Sequence, residues 1–232
     1  LEVNIIKSKE DSFPIVIAPF EMIGNFQEDV DLAKIIRENL NRSGQFDAKS
    51  TNQLTTGPID FDFYLKHKKD AIVFGKIRQI SSNVNHAEIY IYDVLTQKPL
   101  YVNKLAFTNG ALRKTAHALS DVIYYALLGQ KGSFDTRLSF VTVNEEKNGK
   151  RKYRLVISDW DGKNQQVIIG SYDPILSPAW SADQRKIAYV SFKNNRSDVF
   201  VKYVFQETLP QKLPKFNGIA SSPAWHPDGK NI

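Results

Sequence analysis

The residues of this sequence whose chemistry could be catalytic are four histidines and a few close carboxylates. His67, His86, His117 and His226 fall on segments of different character. None has a second imidazole at the spacing that lets two histidines on one helix face hold a metal. Asp159 and Asp161, in Asp-Trp-Asp-Gly, put two carboxylates together. They lack the further oxygen ligands and the closing Glu of a calcium loop, and Asp161-Gly162 is a hairpin-turn signal. There is no Gly-x-Ser-x-Gly elbow, no His-Glu-x-x-His pair and no phosphate-binding P-loop. The chain has no cysteine, which removes disulfides, thiolate metal sites and cysteine nucleophiles from consideration. No catalytic residue, metal ligand or cofactor is assigned, and the chain reads as a non-enzyme.

A repeated phrase carries more information. Ser177-Pro178-Ala179-Trp180 recurs as Ser222-Pro223-Ala224-Trp225, 45 residues later, and Asp183 and Ile187 recur as Asp228 and Ile232. A period of roughly 40–45 residues with several short strands per unit is the spacing of propeller blades. Prolines and the Asp-Gly pair at 228–229 shape tight turns, while an indole on the neighbouring strand can wedge between blades. Pro178, Trp180, Asp183, Pro223, Trp225 and Asp228 are therefore structural repeat positions.

The elements around the repeat divide in style. Up to about residue 130, strand-like and helix-like runs alternate. Val3–Lys7 and Pro14–Phe20 read as short strands. Val30, Ala33, Ile36 and Leu40 recur at helical spacing and stop at Gly44. Phe61–Lys69 is a shorter helix candidate whose basic end, Lys66–Lys69, reads as a solvated helix terminus. Three consecutive strands follow within 71–108; in the middle one Ala87, Ile89 and Ile91 alternate with Glu88, Tyr90 and Tyr92, the signature of a sheet with one covered face. An amphipathic helix closes at Gly129. Beyond the Gly129–Ser133 linker, helical periodicity disappears and short β runs take over. The expected architecture is a mixed α/β domain, residues 1–130, followed by the first blades of a WD40-like β-propeller, residues 131–232.

Bulk properties narrow the function. Net charge is +6, but 31 basic residues are mixed with 25 acidic ones along the chain. No RNA-recognition or helix-turn-helix signature accompanies them, so nucleic-acid binding is not expected. The longest apolar runs fall far short of the roughly 20 residues that span a bilayer.

With these residues in view, the sequence resembles the TolB family of the Tol–Pal system. The repeat phrases are similar, and so, in the same order, are Glu2–Ile6, Ile15–Phe20, Asn39–Asp47, Asp70–Ile77, Lys131–Val141 and Tyr153–Ile168. The resemblance implies an α/β domain followed by a six-bladed propeller, so the chain is expected to hold about two blades and to stop at Ile232 inside a strand whose first copy continues as Ala188, Tyr189 and Val190. It also implies a monomeric periplasmic adaptor, its signal peptide already removed, linking Pal at the outer membrane to TolA at the inner membrane. Colicin-type toxins and other outer-membrane proteins are further partners implied in this way.

Carried over by the resemblance, Leu1, Glu2, Val3, Asn4 and Ile5 are TolA-binding candidates. Their apolar alternation suits addition of a strand to a partner's sheet edge; an ordinary first strand of the domain accounts for it equally. Tyr172, Asp173 and Pro174, with Phe216, Asn217 and Gly218, lie in the loops before the two repeat phrases and are candidates for a Pal-binding rim. The rival reading is the N-terminal part of a propeller-bearing serine hydrolase, whose catalytic set would have to lie beyond Ile232.

Overall fold

The computed structural model describes residues 12–27, 29–51, 58–193, 196–214 and 218–232. The run at 3–7 expected to form a strand lies outside them. The chain divides into two compact units, Leu1–Asp135 and Thr136–Ile232.

The first unit is built on one sheet. Strands β1 (Phe13–Ile17), β2 (Glu21–Ile23), β3 (Phe46–Ser50), β4 (Ala71–Gln79), β5 (Asn85–Asp93) and β6 (Pro99–Phe107) run in the order β3-β1-β4-β5-β6, with β2 also paired to β4. β1 is parallel to β3 and β4, whereas β4, β5 and β6 form an antiparallel meander. The parallel pairings require crossovers, and helices supply them.

Helix α1 (Leu32–Arg42) begins where Asp31 accepts the Lys34 amide, and buries Leu32, Ala33, Ile35, Ile36 and Leu40. It packs with α3 (Leu112–Leu128), which ends at Gly129 in the left-handed conformation, φ 68°. Asp121 of α3 then accepts from the amides of Phe134 and Asp135, fixing the segment that leaves the helix. The expected alternation on β5 is observed: Ala87, Ile89 and Ile91 are fully buried, while Glu88, Tyr90 and Tyr92 are half-exposed. Burying each Ile stabilises the fold by about 2–3 kcal/mol. The short helix α2 (Phe61–Lys66) is capped by Asp60. Its Tyr64 packs with Val16, Ile72 and Val94.

The second unit contains two antiparallel sheets. One is β7 (Arg137–Glu145), β8 (Arg151–Asp159) and β9 (Gln166–Ser171); the other is β10 (Ile175–Trp180), β11 (Lys186–Ser191), β12 (Asp198–Tyr203) and β13 (Gln211–Lys212). Leu155 and Ile157 of the first sheet pack against Ile175, Ile187 and Tyr189 of the second. The second sheet's other face carries Ala188, Val190, Val199 and Val201. Neither sheet could bury both faces alone, which is the physical logic of stacked blades. The architecture is therefore a mixed α/β unit followed by part of a propeller.

Candidate functional site

The two copies of the repeat phrase share a left-handed serine and the turn that follows the tryptophan. Ser177 has φ 50° and Ser222 φ 46°, both left-handed. In the first copy this conformation coincides with a register shift between Leu176 and Ala179, a bulge in β10 that precedes Pro178. The turns after the phrase also match. Ser181 N donates to Lys186 O and Gln184 N to Ser181 O; His226 N donates to Asn231 O and Gly229 N to His226 O, each over 2.9 Å. Asp183 accepts from Ser181 Oγ at 2.6 Å and from the Arg185 amide. Asp228 accepts from the Lys230 amide at 2.7 Å. These bonds, led by Ser181 in one turn and the Lys230 amide in the other, hold both carboxyls below the usual carboxylate range. Ser222–Trp225, unlike the first copy, pairs with no strand among the described residues. Trp180 packs on the cluster between the two sheets, and Trp225 on the cluster at the far face of the second. Pro178 and Pro223 are half-buried beside them.

The connections β7–β8, β9–β10 and β11–β12, together with the segment after β13, lie at one end of the strands, because successive antiparallel strands alternate direction. Tyr172, in β9–β10, donates from its hydroxyl to Glu146 Oε2 at 3.2 Å. Lys152 lies 3.8 Å from Glu146 and 5.6 Å over the Tyr172 ring. Asp173 N donates to Ser171 Oγ, and Pro174 O accepts from Phe192 N. Tyr172 is nevertheless 56% exposed, so it is oriented by its neighbours and still presented to solvent.

In the second rim loop, Phe216 and Asn217 lie outside the described residues. Gly218 has φ 136°, and Ala220 N donates to Ser197 Oγ at 2.9 Å. A cavity of about 200 Å³ opens there between Arg196, Asp198, Leu213, Pro214 and Ile219. Sequence reasoning missed Glu146, Lys152, Arg196 and Ser197. The signal was available: strand parity places the β7–β8 and β11–β12 connections at the same end as the loops before each repeat phrase. The TolA-binding candidates Leu1, Glu2, Val3, Asn4 and Ile5 lie outside the described residues.

The histidines are distributed differently. Asn39 Nδ2 donates to His117 Nδ1 at 2.9 Å and to Ser120 Oγ at 2.8 Å in the buried contact of α1 with α3. His67 Nδ1 bonds the Phe63 carbonyl one turn back, and His226 sits in the repeat turn against Asp228 at 3.1 Å. The rim's polar groups bond one another while remaining accessible, an arrangement suited to recognising a surface.

Comparisons with known proteins agree over the whole length. The model of the TolB amino-terminal domain matches residues 1–100, and that of the TolB β-propeller domain matches residues 124–232. The Tol-Pal system protein TolB of Ruthia magnifica subsp. Calyptogena magnifica is 51% identical over 232 residues, covering 100% of this chain and 55% of the relative. That of Vesicomyosocius okutanii subsp. Calyptogena okutanii is 48% identical over 99% of this chain and 54% of the relative. The crystal structure of TolB from Acinetobacter baumannii superposes with a TM-score of 0.80 at 33% identity, covering 94% of this chain and 53% of that one. The chain thus spans about half the length of the curated relatives it matches. The hydrolase alternative gains no support, because these relatives are Tol-Pal proteins across both units. No helix among the described residues is long and apolar enough to cross a membrane. The chain belongs to the TolB family, of which it comprises the amino-terminal domain and part of the β-propeller.

Proposed function

We propose that the protein is a non-enzymatic periplasmic adaptor of the Tol–Pal system, linking the outer-membrane lipoprotein Pal to the inner-membrane protein TolA and so supporting envelope integrity and cell division. The observation that carries this reading is the rim: Tyr172 is held by Glu146 and Lys152 yet 56% exposed, in the loop before a repeat phrase. Presenting an oriented aromatic beside charged groups is how protein-recognition surfaces concentrate binding energy. Pal engages Tyr172, Asp173 and Pro174, and Phe216, Asn217 and Gly218, at this rim. Leu1–Ile5 engage TolA by strand addition. Colicin-type toxins and other outer-membrane proteins are further partners of the same surfaces.

Calorimetry of the full-length protein with the soluble part of Pal tests the rim. Tyr172→Ala and Phe216→Ala should each weaken Pal binding about tenfold or more; unchanged affinity for both removes these loops from the interface. Deleting residues 1–5 should abolish TolA binding while leaving Pal affinity and thermal stability unaltered. A loss of stability instead would identify the segment as an ordinary strand of the domain.

A further inference from the structure

The basic run Lys66–Lys69 borders a cavity of about 430 Å³ in the first unit, formed where the end of β3 meets α2. Its floor is apolar: Val16 and Tyr64 are buried, and Phe63 is 37% exposed. Its walls are basic: Lys49 from β3, with His67 and Lys69 from the end of α2. We propose that this cavity is a docking site for an acidic segment of a partner protein that carries a bulky apolar side chain beside its carboxylates.

Charge and geometry both favour that occupant. Asp47 is the carboxylate shared by the two lysines, 2.8 Å from Lys49 and 4.0 Å from Lys69. Lys49, His67 and Lys69 line the cavity with no carboxylate among its described lining residues, although Asp47 lies against both lysines and Asp70 also acts on Lys69 from outside it. The Lys69 side chain is only 17% exposed, so an entering carboxylate meets a cation screened weakly by water. Asp60 is engaged elsewhere, capping α2 through the Phe63 amide at 2.9 Å. The His67 ring lies 4.2 Å from that of Phe63, and its Nδ1 bonds the Phe63 carbonyl. Burying one apolar side chain on Val16, Phe63 and Tyr64 supplies the remaining driving force.

The segment is read through its side chains rather than by extending the sheet. Asn41 Nδ2 donates to Ala48 O, and Asn41 Oδ1 accepts from Ala48 N, so the β3 backbone is already occupied there. The site lies wholly within the first unit and is independent of the proposed Pal rim.

The test uses the full-length protein and a fluorescein-labelled peptide, Glu-Glu-Phe-Asp-Glu, followed by fluorescence polarisation at low ionic strength. Saturable binding is expected, weakened about tenfold or more by Lys49→Glu with Lys69→Glu and little changed by the surface control Lys104→Glu. Replacing the peptide's Phe with Ser should weaken binding at least about fivefold. A photo-crosslinker in place of the Phe should label residues within 49–51 or 63–69. Circular dichroism confirms the fold of each variant, and Lys49→Gln with Lys69→Gln serves if charge reversal unfolds the domain. Equal affinity in the double variant, indifference to the Phe, crosslinks elsewhere, or binding only to phosphatidylglycerol vesicles would each overturn the proposal.

Discussion

The indole Nε1 of Trp225 donates to the carbonyl of Ala179 over 3.0 Å, tying the second repeat phrase to the strand that carries the first. Trp180, at the matching position, packs between the two sheets. Its Nε1 is buried with no partner among the described residues.

Trp225→Phe and Trp180→Phe should therefore differ in this chain. The first leaves the Ala179 carbonyl without its donor and should destabilise by about 1–2 kcal/mol. The second removes an unsatisfied buried donor, which offsets part of the packing loss. Urea denaturation of the 232-residue chain, followed by tryptophan fluorescence, should show the larger midpoint shift for Trp225→Phe; the reverse order would contradict this account.

Asn41 guards the edge of the first sheet. Its carboxamide makes two bonds to Ala48, at 3.0 and 2.7 Å, as a neighbouring strand would. Asn41→Ala should cost about 1–2 kcal/mol and leave the outward backbone of β3 open to pair with other chains. Light scattering on warming should rise earlier than in the parent protein. An unchanged onset, with unchanged stability, would show the edge needs no such guard.

How much of this was legible depends on the element. The alternation of Ala87, Ile89 and Ile91 with Glu88, Tyr90 and Tyr92 announced β5 and its buried face, because side-chain direction on a strand follows parity alone. The apolar stripe of α1 was equally plain, though the helix starts at Leu32 and Val30 lies outside it; Asp31 takes the cap and fixes the start. β2 and β3 were not visible. Glu21–Ile23 is too short for a period, and Phe46–Ser50 ends in Lys49 and Ser50 at a sheet edge where nothing demands apolar residues. At the rim, the loops before each repeat phrase were found by matching the copies. Glu146 and Lys152 were not, because their pairing with Tyr172 depends on which hairpins share an end and not on any motif.

Ser177 offers a test of the bulge. A side chain at φ 50° is strained by about 1 kcal/mol, a penalty that glycine does not incur. Ser177→Gly should be neutral or stabilising by up to about 1 kcal/mol despite the greater freedom of the unfolded chain. Ser177→Val, β-branched in the same conformation, should lower stability by about 2 kcal/mol. Equal thermal midpoints for the two variants would mean the bulge relaxes without strain.

Gly75 marks a close approach in the first unit. A Cβ placed there would stand 2.3 Å from the Glu88 carbonyl oxygen and 2.4 Å from Phe20 Cε1. One obstacle is backbone in the paired strand β5, so it cannot rotate away. Gly75→Ala should destabilise by about 2–3 kcal/mol, and Phe20→Ala should not rescue it, because the carbonyl clash remains. Rescue in the double variant would assign the tightness to Phe20 alone.

Tyr189 gives the second unit an alkaline limit. It is 3% exposed, stacked with Phe200 at 5.8 Å, and burial raises its pKa from 10.0 to about 12. The folded state therefore favours the neutral phenol. Its contribution is fully present below the unfolded value near 10 and is lost as pH rises through the folded value. Across that window the unfolded state gains about 2–3 kcal/mol from ionisation that the folded state resists. Urea midpoints measured from pH 9 to 12 should fall more steeply in the parent chain than in Tyr189→Phe, where no phenol remains to ionise. Parallel curves would mean that Tyr189 ionises as readily in the folded protein as in the unfolded chain, and that the packing of β11 against β8 does not keep water from its hydroxyl.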